Sequence, residues 1–157
     1  MNMTLRFASV RLALLAALAC AFVPPLAPAY AVDDIESTDA PDLTSVRAKI
    51  KAQDYAAALA ELRGIAEDTQ QADVYNLLGF TLRKTGDFKT SLTYYTKALE
   101  LQPDHKAAHE YLGELYVQTG DTAKAEEQLD ALTRLCPDGC EERADLEKAI
   151  ATKSASD

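Results

Sequence analysis

Residues Ala72 to His105 read ADVYNLLGFTLRKTGDFKTSLTYYTKALELQPDH, and residues Lys106 to Gly139 read KAAHEYLGELYVQTGDTAKAEEQLDALTRLCPDG. The pairs Leu78-Gly79 and Leu112-Gly113, the triplets Thr85-Gly86-Asp87 and Thr119-Gly120-Asp121, and the pairs Pro103-Asp104 and Pro137-Asp138 are each separated by 34 positions. Three matches at one offset mark an internal repeat. Leu78, Leu82, Leu112 and Tyr116 recur at helical spacing and define an apolar face, while Gly79 and Gly113 remove a side chain where a neighbouring helix comes close. Gly86 and Gly120 suit the left-handed conformation that ends a helix, Asp87 and Asp121 suit the cap of the next one, and Pro103 and Pro137 stop it. Each copy is expected to fold as two antiparallel helices.

A degenerate copy lies upstream. Asp54-Tyr55 aligns with Asp87-Phe88 at an offset of 33, with Ala58, Leu62 and Ile65 following in place. Its first helix, about Asp42 to Ala52, keeps Leu43, Val46 and Ile50 but lacks the Leu-Gly pair, as a terminal repeat often does. Downstream, Glu141 to Ala151 sets Leu146, Ala149 and Ile150 on one side and charges on the other, so this segment is expected to seal the last repeat.

A helix–turn–helix period of 34 residues resembles the tetratricopeptide-repeat (TPR) family. Tyr75, Leu78, Gly79, Leu82, Gly86, Phe88, Ser91, Tyr95, Ala98 and Pro103 occupy that family's signature positions in the first copy. In the second, Leu112, Gly113, Tyr116, Gly120, Ala125, Leu129 and Pro137 do so, while His109 and Leu132 depart from the usual residue types. The resemblance runs from Asp42 to Pro137. It implies an all-α TPR solenoid of about three helix–turn–helix repeats with a C-terminal capping helix. The expected units are a degenerate repeat over 41–71, repeats over 72–105 and 106–139, and the capping helix over 140–152.

Ahead of the repeats, residues 1–31 have the layout of a secretory signal peptide: Arg6 and Arg11, an apolar run from Leu12 to Val23, then Pro24, Pro25 and Pro28, and Ala29-Tyr30-Ala31 as a cleavage site. The prolines leave the run short of the ~20 apolar residues that a membrane span needs. Leu18-Ala19-Cys20 partly matches a lipoprotein signal, so acylation at Cys20 stands as a second processing route. Residues 32–40 (VDDIESTDA) read as a flexible acidic lead. The expected location is the periplasm or the exterior, after cleavage near Ala31.

The 157-residue chain is 48% apolar and 26% charged, as folded domains are, and has a net charge of −9. Removing residues 1–31 takes away two arginines and no acid, which makes the charge −11. That acidity excludes a nucleic-acid-binding surface and disfavours anionic lipid.

No nucleophile elbow, phosphate loop or dinucleotide fingerprint is present, so the chain is not expected to be an enzyme or to carry a cofactor. His109-Glu110-Tyr111-Leu112-Gly113 has glycine where a zinc-protease motif needs its second histidine. His105 and His109 lie four apart but lack a third ligand nearby, and no metal site is expected. Cys136-Pro137-Asp138-Gly139-Cys140 would hold the two cysteines left after export, and its turn suits a disulfide. Disulfide exchange with a partner and soft-metal binding by two thiolates stay open beside that structural bond.

The TPR resemblance also implies a concave groove lined by the first helix of each pair. It assigns Arg47, Asp73, Asn76, Phe80, Arg83, Lys84, Glu110, Glu114, Val117 and Gln118 to that groove. Phe80 beside Arg83 is an interface anchor if exposed, or a packing residue if it lies under the next repeat. The positions that clamp a C-terminal carboxylate in some family members are Leu43, Arg47, Leu77, Ala107 and Tyr111 here, of which only Arg47 is cationic, so that mode is not expected. The expected function is an exported adaptor or assembly factor that holds a protein or peptide partner in this groove. The alternative is a thiol-disulfide or soft-metal accessory protein acting through Cys136 and Cys140.

Overall fold

The computed structural model describes residues 40–155, and the leader and most of the acidic lead lie outside the described residues. Among the described residues the regular structure is wholly helical: α1 (Thr44–Lys51), α2 (Tyr55–Asp68), α3 (Ala72–Lys84), α4 (Phe88–Leu101), α5 (Lys106–Thr119), α6 (Thr122–Leu135) and α7 (Glu141–Ser154). Consecutive helices pack on one another, α5 also packs on α7, and α3 touches α5, so the pairs stack as a solenoid.

The three turns within the pairs share one construction. Asp54, Asp87 and Asp121 each accept a hydrogen bond from a backbone N–H of the following helix, at Ala57, Thr90 and Lys124. The residue before each cap is left-handed: Gly86 at φ 87° and Gly120 at φ 83°, but Gln53 at φ 60° in the degenerate repeat. The second helices end at Leu101 and Leu135, ahead of Pro103 and Pro137.

Two apolar clusters run along the stack. Leu43, Val46, Leu62, Val74, Tyr75, Leu77, Leu78, Ala98 and Ala108 join α1 through α5, and Tyr95, Leu112 and Leu115 continue the core. The repeat glycines have different neighbours. A Cβ on Gly79 would lie 2.6 Å from the ring of Tyr95 on α4, whereas one on Gly113 would lie 2.5 Å from the side chain of Leu146 on α7. The capping helix therefore uses Leu146, fully buried, to fill the gap that Gly113 leaves. The rest of α7 is largely polar and exposed, which ends the stack without a bare apolar face.

Candidate functional site

The first helices α1, α3 and α5 and the cap α7 present one continuous face, tied across by side chains. At one end Asp73 of α3 links three helices. His105 caps α5 by accepting from the Ala108 N–H at 3.2 Å through Nδ1. Its Nε2 therefore carries the proton and donates to Asp73 Oδ1 at 3.0 Å. Arg47 of α1 stands 3.8 Å from the other Asp73 oxygen. His109 lies on another side of α5, with Nε2 2.9 Å from the Pro103 carbonyl and Nδ1 2.8 Å from the Gln128 amide. The carbonyl can only accept, so Nε2 donates to it, while Nδ1 faces the Gln128 Oε1.

At the centre, Arg83 of α3 is enclosed. Its Nε donates to the Tyr95 hydroxyl at 3.3 Å, its NH2 group pairs with Glu114 of α5, and its guanidinium lies 5.6 Å and 5.8 Å from the Phe80 and Tyr111 ring centres. Phe80 is half-buried and packs 5.0 Å from Tyr111, centroid to centroid, with Lys84 over its ring. Phe80 thus packs against the next repeat while staying partly exposed. Burial drives the Tyr95 hydroxyl far above its usual pKa despite the nearby guanidinium.

Three residues assigned to the groove surface from the sequence need correction, because they are buried before any partner arrives. Arg83 is 4% exposed, Asn76 3% and Glu110 8%. Arg83 is closed in by the aromatic rings of two repeats and by Glu114. Asn76 and Glu110 occupy equivalent positions one repeat apart. The Asn76 Oδ1 has no hydrogen-bond partner, and the Glu110 carboxyl is pushed up to about 8, first by burial and then by the charges of Glu114, Asp145 and Glu142.

The accessible part of the face is an open groove of about 770 Å³ between α5 and α7, lined by Glu114, Val117, Gln118, Asp145, Lys148, Ala149, Thr152 and Lys153. Val117, Ala149 and the lysine stems provide apolar wall, and carboxylates and ammonium groups provide polar edges. Glu114, Val117 and Gln118 are thus brought together, with Arg47, Asp73 and Lys84 further along the face. The contribution of α7 was missed in the sequence. Its signal was present, since α7 begins 35 residues after α5 and so falls where the first helix of another repeat would.

Cys136 and Cys140 lie away from the groove lining, at the α6–α7 junction. Their Cα atoms are 6.0 Å apart and their sulfurs are at bonding distance, with Cys136 buried and Cys140 half-buried.

The tetratricopeptide-repeat family model matches residues 77–139. A curated relative, the Sol locus transcriptional repressor of Clostridium acetobutylicum, is 41% identical over 54 residues, which are 34% of this chain and 17% of that protein. This chain therefore matches less than a fifth of that relative's length. Among solved structures, that of PcrH in complex with the chaperone binding region of PopD superimposes with a TM-score of 0.61 at 17% identity, covering 71% of this chain and 85% of PcrH. That likeness is one of fold.

Proposed function

We propose that this chain, a tetratricopeptide-repeat protein, is an exported adaptor or assembly factor that holds a segment of another protein in the groove between α5 and α7. The observation that carries the reading is the groove itself. It is open, has a mixed apolar and charged lining, and its α5 wall is tied to α3 by the Arg83–Glu114 pair. A groove with an apolar wall and a polar rim suits a short helix or an extended segment, which can seat apolar side chains on the wall and pair its polar groups at the rim. PcrH, of the same fold, was solved with the chaperone binding region of PopD, and a protein segment as occupant is the corresponding expectation here. The signal-like layout of residues 1–31 supports placing this work outside the cytoplasm, and no catalytic step is required of the chain.

The test is site-specific photo-cross-linking in the native envelope. A photoreactive residue at Val117, on the groove wall, is expected to yield a discrete protein adduct, while one at Thr96, exposed on α4, yields none. The absence of an adduct from position 117, or equal adducts from both positions, would overturn the groove.

A further inference from the structure

Cys136 and Cys140 are bonded to each other, and the groove lining uses neither. Their surroundings are unlike. Cys136, where α6 ends, is 7% exposed, and its Sγ lies 3.1 Å from the Leu132 carbonyl oxygen. A thiol there can donate to that oxygen, whereas a thiolate would be repelled by it. Cys140, where α7 starts, is only half-buried, and its side chain caps none of the first-turn N–H groups. Those groups favour an anion, but Glu141 and Glu142 of the same turn oppose it. The difference between the two sulfurs therefore rests on access and on the Leu132 carbonyl.

The turn that joins them is held by bonds that do not involve sulfur. The Cys136 N–H donates to the Leu132 carbonyl and the Gly139 N–H to the Cys136 carbonyl, both at 2.9 Å, and Gly139 takes the left-handed conformation at φ 98°. A backbone braced in this way keeps the Cα atoms near their 6.0 Å separation, so the sulfurs stay within reach of each other when the bond between them opens. We propose that Cys136 and Cys140 form a reversible thiol–disulfide exchange site of fixed polarity, in which Cys140 takes up the sulfur of an external disulfide or thiol and Cys136 resolves it. In the reduced chain the Cys140 thiolate attacks a disulfide RSSR; a Cys140–SR bond forms, and RS⁻ leaves and takes a proton. Cys136 then gives up its proton and attacks the Cys140 sulfur, expelling the second RS⁻. The pair is oxidised by two electrons and RSSR is reduced to two RSH. Excess thiol drives the same steps backwards, entering at Cys140 because Cys136 is covered. The site does not depend on the groove between α5 and α7.

Glutathione serves as the probe. Incubated with oxidised glutathione and followed by intact-mass spectrometry, Cys136→Ser is expected to form its mixed disulfide at Cys140 at least about tenfold faster than Cys140→Ser forms one at Cys136. Equal rates, or the reverse order, would overturn the polarity. Should either variant not fold, the wild-type chain is reduced and treated with limiting iodoacetamide; fragment masses must place most of the label on Cys140, and an even division overturns the proposal equally. Reversibility is read on the wild-type chain by circular dichroism and thiol titration. Excess dithiothreitol must open the bond with the helical signal retained, and oxidised glutathione must then close it. A bond that opens only when the chain unfolds would show a structural link and sink the exchange site.

Discussion

The Arg83 guanidinium of α3 is paired with the Glu114 carboxylate of α5, with the arginine side chain 1% exposed and the glutamate 26%. The contact joins successive repeats beneath the groove. Removing one partner of a buried pair leaves the other uncompensated, so Arg83→Ala is expected to lower stability by about 3 kcal/mol. Glu114→Gln leaves the enclosed Arg83 guanidinium without its counter-charge and with only an amide oxygen as acceptor, so a cost of about 2–3 kcal/mol is expected. Urea denaturation of both variants and the double mutant checks this, and a cost below ~1 kcal/mol for Arg83→Ala would remove the staple.

The repeat glycines make a second prediction, with an internal control. An added methyl at Gly79 or Gly113 would collide with Tyr95 or Leu146, so each alanine substitution is expected to cost about 1–3 kcal/mol. Gly64, inside α2, has nothing within 4 Å of a built Cβ. There Gly64→Ala is expected to stabilise by about 0.5–1 kcal/mol through helix propensity. Equal effects at the three sites in a thermal melt would show that packing does not explain the repeat glycines.

The fold was readable because a repeat writes each instruction more than once. Leu78-Gly79 and Leu112-Gly113, or Asp87 and Asp121, act through local geometry that any copy shares. The groove residues were less readable, since their exposure depends on the next helix in the stack. Arg83 looks available on α3 alone, but Tyr111 and Glu114 from α5 close over it. Glu110 is buried on α5, which packs against α4, α6 and α7, and α7 lies outside the matched repeat region. The Arg83–Glu114 spacing of 31, an opposite-charge pair on one face of adjacent repeats, was the signal that could have located the staple.

Gln53 exposes a cost specific to the degenerate repeat. It takes the left-handed conformation that Gly86 and Gly120 take in the other turns, with φ 60°. A side chain there costs about 1–2 kcal/mol, partly offset by the greater freedom that glycine loses on folding. Gln53→Gly is expected to raise stability by about 0.5–1 kcal/mol, measured as a higher urea midpoint at unchanged slope. A lower midpoint would mean that the glutamine side chain makes a compensating contact.

The cysteine pair separates the two readings of function. Cys136 is the residue at which α6 ends and Cys140 the one from which α7 starts, and their 6.0 Å Cα separation fits a disulfide. Loop closure over so short a span is worth about 2 kcal/mol, because little unfolded-chain entropy is removed. What a bond adds here is direction, since it fixes where α7 begins relative to α6. Cys136→Ser/Cys140→Ser is accordingly expected to lose about 2 kcal/mol, with the rise in hydrogen exchange concentrated in α7 while α3 and α4 keep their protection. The partner cross-linked from Val117 is expected to persist in that variant at a temperature where it remains folded. A folded double serine variant that loses the partner completely would place the working chemistry on the sulfurs, because the groove lining between α5 and α7 contains neither cysteine.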